Sequence, residues 1–175
     1  VFDGVAGVEA QSETVWHQAD RFRVPRIAFV NKMDRVGADL DRTVRMISAR
    51  LKAHPVVVQM PIGREADFHG LIDLVTMKAV FFDENGVPII EEIPTHLQTE
   101  ANQWRERMIE ALADLNDHIA LLYLEGEELN PDTLVHALRK ATLSSRAVPV
   151  LCGAALRNLG VHLLLDAIVA YLPSP

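Results

Sequence analysis

A single cysteine among 175 residues, Cys152, excludes an internal disulfide framework and a CxxC metal site. A lone thiol fits a reducing compartment, so a cytoplasmic location is expected. No apolar run approaches the ~20 residues of a membrane span, and the first residues lack the basic, apolar and small-residue order of a signal peptide, so no membrane association is expected. Positive charge is also in short supply. The 17 basic side chains face 24 acidic ones for a formal net charge of -7, which implies no general polyanion-binding surface and no direct sequence-specific nucleic-acid binding. Histidines stand at 17, 54, 69, 96, 118, 136 and 162 without HExxH or Cys/His ligand spacing, and no metal site is expected from them. Disorder is excluded by the 49% hydrophobic content, enough for one ordinary core or for two small ones sharing a boundary.

What is present reads first as a parallel α/β pattern. VFDGVAG begins inside the end of a strand, with Asp3 and Gly4 as the turn, and Val1 does not resemble a natural start, so preceding sequence is expected. Val8, Val15, Ala19 and Phe22 recur at helical spacing over 8–22, and Pro25 stops the pattern before the buried strand RIAFV at 26–30. A second helix over 39–52 carries Leu40, Val44, Ile47 and Leu51 on one stripe, with Asp39 and Asp41 at its anion-favouring start.

The texture then changes. PVVVQM at 55–60 is a possible further strand, and 70–82 reads as antiparallel strands turned by Asn85 and Gly86 into 87–93, where Pro88 suits an edge. Helices follow over 95–114 and 116–125, and a third begins at Asn130 as N-cap with Pro131 in the first turn. Their acidic runs read as solvated faces. A buried strand at 147–152, a loop and an apolar helix at 161–172 restore the first texture before PSP at 173–175 opens a linker. The expected fold is α/β, an incomplete P-loop-NTPase-like parallel sheet with helices formed by 1–52 and 147–175, interrupted by an inserted α+β subdomain over 53–146.

Two loops carry the chemistry. Asn31, Lys32, Met33 and Asp34 follow the strand at 26–30, at the carboxyl end where ligands sit in open α/β sheets. A guanine ring presents N1–H and an N2 amino group on one edge, so the Asp34 carboxylate can accept two hydrogen bonds from it, whereas adenine offers no such pair. Asn31 has donor and acceptor atoms to tie the base to its surroundings, the Lys32 methylene stem can cover the base and ribose, and Met33 reads as packing. A bare NKxD is also an ordinary polar strand-to-helix turn.

The second loop, Gly153, Ala154, Ala155 and Leu156, likewise follows an apolar strand and precedes a helix. Its small residues allow close backbone approach, the Ala155 N–H can donate to guanine O6, and Leu156 can press on the ring face. Alone, GAAL reads as packing; paired with NKMD it reads as a nucleotide site. Cys152 beside it lacks an organised base and reads as a small buried thiol.

These loops and their surroundings resemble the elongation factor G family of translational GTPases over essentially the whole chain. The resemblance rests on VFDGVAGVEAQSETVW at 1–16, PRIAFVNKMDRVGADL at 25–40, PVVVQMPIGRE at 55–65, YLEGEEL at 123–129 and GVHLLLDAIVAYLPSP at 160–175. It accounts for the loop separation of about 120 residues, where one βαβ step needs about 30, through the family's inserted G' subdomain. It implies that Asn31, Lys32 and Asp34 match the family's NKxD positions and that Ala154, Ala155 and Leu156 match its Ser-Ala-Leu loop. Ala154 departs from that pattern, and loss of the bracing hydroxyl corresponds to about 1 kcal/mol of affinity.

The resemblance further implies GTP or GDP as ligand, GTP hydrolysis coupled to tRNA and mRNA movement, and a ribosomal partner met through large-subunit stalk proteins at the G' region. No GxxxxGK[ST] occurs in the chain, so Mg²⁺ and phosphate contacts are expected only in a full-length protein, and this segment alone is expected to be inactive, with no catalytic residue of its own. Two other readings stay open: a ribosome-docking scaffold with a degraded pocket, and a related factor acting in recycling, ribosomal protection or release-factor recycling.

Overall fold

A computed structural model describes residues 1–174; Pro175, the end of the expected linker at 173–175, lies outside the described residues. Four parallel strands form the first sheet: β1 (Phe2–Asp3), β2 (Ala28–Asn31), β3 (Pro55–Val57) and β8 (Val148–Cys152), in the order β1-β2-β8-β3. Helices α1 (Ala10–Arg21), α2 (Leu40–Leu51) and α6 (Val161–Tyr171) belong to this part of the chain. Residues between β3 and β8 build an antiparallel sheet of β4 (Gln59–Ile62), β5 (Gly70–Asp73), β6 (Lys78–Phe82) and β7 (Pro88–Glu91), then α3 (Gln98–Ala113), α4 (Asp117–Leu124) and α5 (Pro131–Leu143). The α/β class and the parallel sheet expected from the sequence are both present.

Local signals explain most boundaries. Asp39 caps α2 by accepting from the Arg42 amide, and Asn130 caps α5 by accepting from the Thr133 amide, with Pro131 at the first helical position where its missing N–H has no partner to lose. β7 is an edge strand, which accommodates Pro88. Thr95–Leu97 forms a short 3-10 turn, so the helix expected from 95 starts instead at Gln98.

The apolar run at 55–60 is two strands rather than one. Val58 is the pivot: its amide donates to the Val150 carbonyl of the parallel sheet, while its own carbonyl accepts from the Leu74 amide beside β5. Sheet membership therefore changes between Val57 and Gln59, whereas sequence texture changes near residue 53. The two parts also share apolar packing. Phe29, Val56, Leu151 and Tyr171 belong to the same buried cluster as Ile72, Met108 and Leu134, and Phe68 and Leu71 belong to the cluster beneath β2 and α2.

Cys152 ends β8 fully buried, and burial in apolar surroundings pushes its thiol up to about 12. A raised thiol favours the folded state only while the unfolded thiol also stays protonated, so this contribution is lost as pH rises above the ordinary thiol range. Iodoacetamide at pH 8.5 is expected to leave native protein unmodified over an hour and to alkylate Cys152 fully in guanidinium chloride. Rapid native labelling would mean that the end of β8 opens locally.

Candidate functional site

Parallel pairing of Ala28 with Val150 and Val30 with Cys152 makes the carboxyl ends of β2 and β8 immediate neighbours. NKMD and GAAL leave those ends side by side. The Gly153 amide donates to the Val30 carbonyl at 3.0 Å, and the Met33 amide donates to the Gly153 carbonyl at 3.0 Å. Asn31 completes the junction: its Oδ1 accepts from the Lys32 amide at 2.8 Å and from the Ala155 amide at 2.9 Å. The two turns are thus joined by a side chain from one and a backbone donor from the other.

Lys32 adopts a left-handed backbone with φ 64°, an uncommon conformation for a non-glycine residue. Its ammonium meets Asp3 Oδ2 at 2.6 Å, across the β1–β2 pair that aligns Asp3 with Asn31. Asp3 Oδ1 accepts from the Val5 and Ala6 amides at 2.8 and 3.1 Å. The Lys32 hydrogen bond, with help from those amides, holds the Asp3 carboxyl below the usual carboxylate range. This contribution is present above that range and fades as pH falls through it. In the sequence Asp3 reads only as a turn residue, because nothing local reveals that it aligns with a strand 28 residues away.

Asp34 is half-buried, and among the described residues its carboxylate has no hydrogen-bond or ion-pair partner. Leu156 is 87% exposed, while Ala154 is buried and exchanges backbone hydrogen bonds with Leu159 at 2.9 and 3.1 Å. The backbone braces this loop without a side-chain hydroxyl at 154. The Ala155 amide, expected to be free for a ligand oxygen, is already held by Asn31, so it can serve a ligand only as a shared donor. All six expected residues, Asn31, Lys32, Asp34, Ala154, Ala155 and Leu156, lie on these two adjoining turns.

Gly153 meets a packing requirement of its own, apart from the expected ligand approach. A methyl group there would stand 2.4 Å from the Leu159 carbonyl oxygen and 2.7 Å from Phe29 Cζ. Gly153→Ala is therefore expected to cost about 1–3 kcal/mol through overpacking, measured by urea unfolding. Wild-type stability in that variant would show that the Leu159 turn yields freely.

Sequence reading also misses the side chains that hold these turns from outside. Gln59, 5% exposed at the start of β4, accepts from the Cys152 amide at 3.1 Å, and Glu65 accepts from the Gly37 amide at 2.8 Å. The lone glutamine in an otherwise apolar run is the available signal for the first. Among the described residues no helix is long and apolar enough to cross a membrane.

Comparisons with known proteins identify the family. The elongation factor Tu GTP-binding domain family matches residues 1–174. Elongation factor G of Thermotoga petrophila is 55% identical over 177 aligned positions, spanning 100% of this chain and 26% of that protein. Elongation factor G of Thermotoga maritima is 54% identical with the same coverage. The chain therefore spans about a quarter of the length of these relatives. A crystal structure of a protein from Thermus thermophilus superimposes with a TM-score of 0.84 at 29% identity, covering 99% of this chain and 26% of that one.

Proposed function

The chain belongs to the elongation factor Tu GTP-binding domain family, and on that premise we propose that it supplies the guanine-reading half of the nucleotide site of a ribosomal translocase. The observation that carries this reading is the Asn31 Oδ1 bridge to the Ala155 amide, which joins the turn that bears Asp34 to the second turn, and among the described residues the Asp34 carboxylate has no partner. Asp34 accepts from guanine N1–H and N2, the Lys32 stem covers the base, Leu156 covers part of the ring face, and the Ala155 amide is shared with O6. The fit is chemical: an acceptor-only carboxylate stands on one side and a backbone donor on the other, which matches guanine and mismatches adenine.

The full-length protein hydrolyses GTP and couples hydrolysis to movement of tRNA and mRNA through the ribosome, a reading supported by the 55% identity to elongation factor G. Phosphate and Mg²⁺ contacts come from sequence outside these 175 residues, in which no GxxxxGK[ST] occurs. Residues 53–146 form the G' subdomain, with β3 retained by the parallel sheet, and that subdomain meets the stalk proteins of the large ribosomal subunit. The backbone pairing of Ala154 with Leu159 favours an intact pocket over a decayed scaffold, because the loop is built without the serine hydroxyl. The test is nucleotide preference in full-length protein: GDP against xanthosine diphosphate for wild type and Asp34→Asn. An unchanged preference would remove Asp34 from the site.

A further inference from the structure

The turn between β6 and β7 is closed by its own hydrogen bonds. Asp83 Oδ1 accepts from the Asn85 and Val87 amides, both at 2.8 Å, and the Asp83 carbonyl accepts from the Gly86 amide at 3.0 Å. The carbonyls left over at the tip face the segment that follows the GAAL turn. Asn158 Nδ2 donates to the Asn85 carbonyl at 2.8 Å, and His162 Nδ1 lies 3.1 Å from the Gly86 carbonyl, which fixes that nitrogen as the donor. The fit is close, since a Cβ on Gly86 would meet three Asn158 atoms at 2.7 Å. Asn158 itself has a left-handed backbone with φ 57° and ends the 3-10 turn Ala155–Arg157, its amide bonded to the Ala155 carbonyl. The guanine-reading turn is thus gripped at one end by Asn31 and at the other, through Asn158, by a hairpin from the second sheet.

We propose that Asn158 and His162 are positioning residues that latch the Ala155–Leu156 turn to the Asn85–Gly86 hairpin tip, so that the inserted module sets how long the nucleotide stays bound. The proposal rests on the guanine reading above. With the latch closed, the Ala155 amide is held where base and Asn31 share it. With the latch open, the turn keeps its bonds to Asn31 and Leu159 and the Arg157 bond to the Phe68 carbonyl, and the base leaves sooner.

Three substitutions in the full-length protein strike the latch from different sides. Asn158→Gly removes the amide yet tolerates the left-handed backbone, His162→Phe removes the ring donor at similar volume, and Gly86→Ala pushes the tip away. Each is expected to speed GDP dissociation about 5- to 10-fold, in keeping with one lost hydrogen bond. KM for GTP rises while kcat at saturating GTP stays unchanged, a split that general loosening of the fold would not give. Asn158→Gly combined with Gly86→Ala is expected to do no more than the stronger single change, because both break one contact.

Unchanged GDP dissociation in Asn158→Gly and His162→Phe protein, or additive effects in the double variant, overturns the latch. Should Asp34→Asn switch to xanthosine diphosphate while the latch variants stay silent, guanine reading stands and the latch falls. Should Asp34→Asn leave the preference for GDP over xanthosine diphosphate unchanged, the guanine reading falls first and the latch with it.

Discussion

Asp34→Asn in the full-length protein is expected to weaken GDP binding by about 10³-fold and to improve xanthosine diphosphate binding by a comparable factor. On the proposed reading the carboxylate accepts two charge-assisted hydrogen bonds from guanine, each worth about 1.5–3 kcal/mol. An asparagine keeps the acceptor for N1–H but turns its amide donor toward the guanine N2 amino group, so one bond is replaced by donor facing donor. Xanthine carries a carbonyl where guanine carries that amino group, and it satisfies the asparagine amide while repelling the native carboxylate. Because Asp34 is half-buried, solvent screens part of the charge, which places the effect below the roughly 10⁴ to 10⁵ reached by fully enclosed polar sites. Equilibrium binding of the two nucleotides to both proteins reads the result, and a loss of GDP affinity without gain of xanthosine diphosphate would mean that the asparagine distorts the turn.

Local chemistry made the helix starts legible, because Asn130, Pro131 and Asp39 act on amides within one turn of themselves. The Asn85–Gly86 turn was legible for the same reason, although its docking onto Asn158 was not. Val58 was illegible: PVVVQM is apolar throughout except for its glutamine, and the switch from one sheet to the other is decided by Val150 and Leu74, which are distant in sequence. The two candidate turns could be singled out by residue type and by position after strands. How they meet could not, since the Asn31 side chain reaches an amide 124 positions away. Gly153 shows the limit of composition most plainly. A small residue was expected there for ligand approach, and the protein's own Leu159 carbonyl requires one as well.

The same long-range packing determines whether residues 53–146 behave as a separate unit. Phe68 lies between β4 and β5, yet it is fully buried in the cluster that holds Val150, Cys152 and Met33, and its carbonyl accepts from Arg157 beside the GAAL turn at 3.3 Å. Phe68→Ala removes most of a large side chain from a site closed on all sides, so it is expected to cost about 3–5 kcal/mol. That is a large share of the roughly 5–15 kcal/mol typical of a whole domain. The second sheet and the parallel sheet share this ring, so hydrogen exchange in the full-length variant is expected to quicken together in β5 and β8, with faster GDP release as a consequence. Faster exchange confined to β4–β7, with β8 as protected as in wild type, would make the inserted module an independent folding unit. In that case the hairpin tip could reach the Ala155–Arg157 turn only through its hydrogen bonds to Asn158 and His162, and not through a common core.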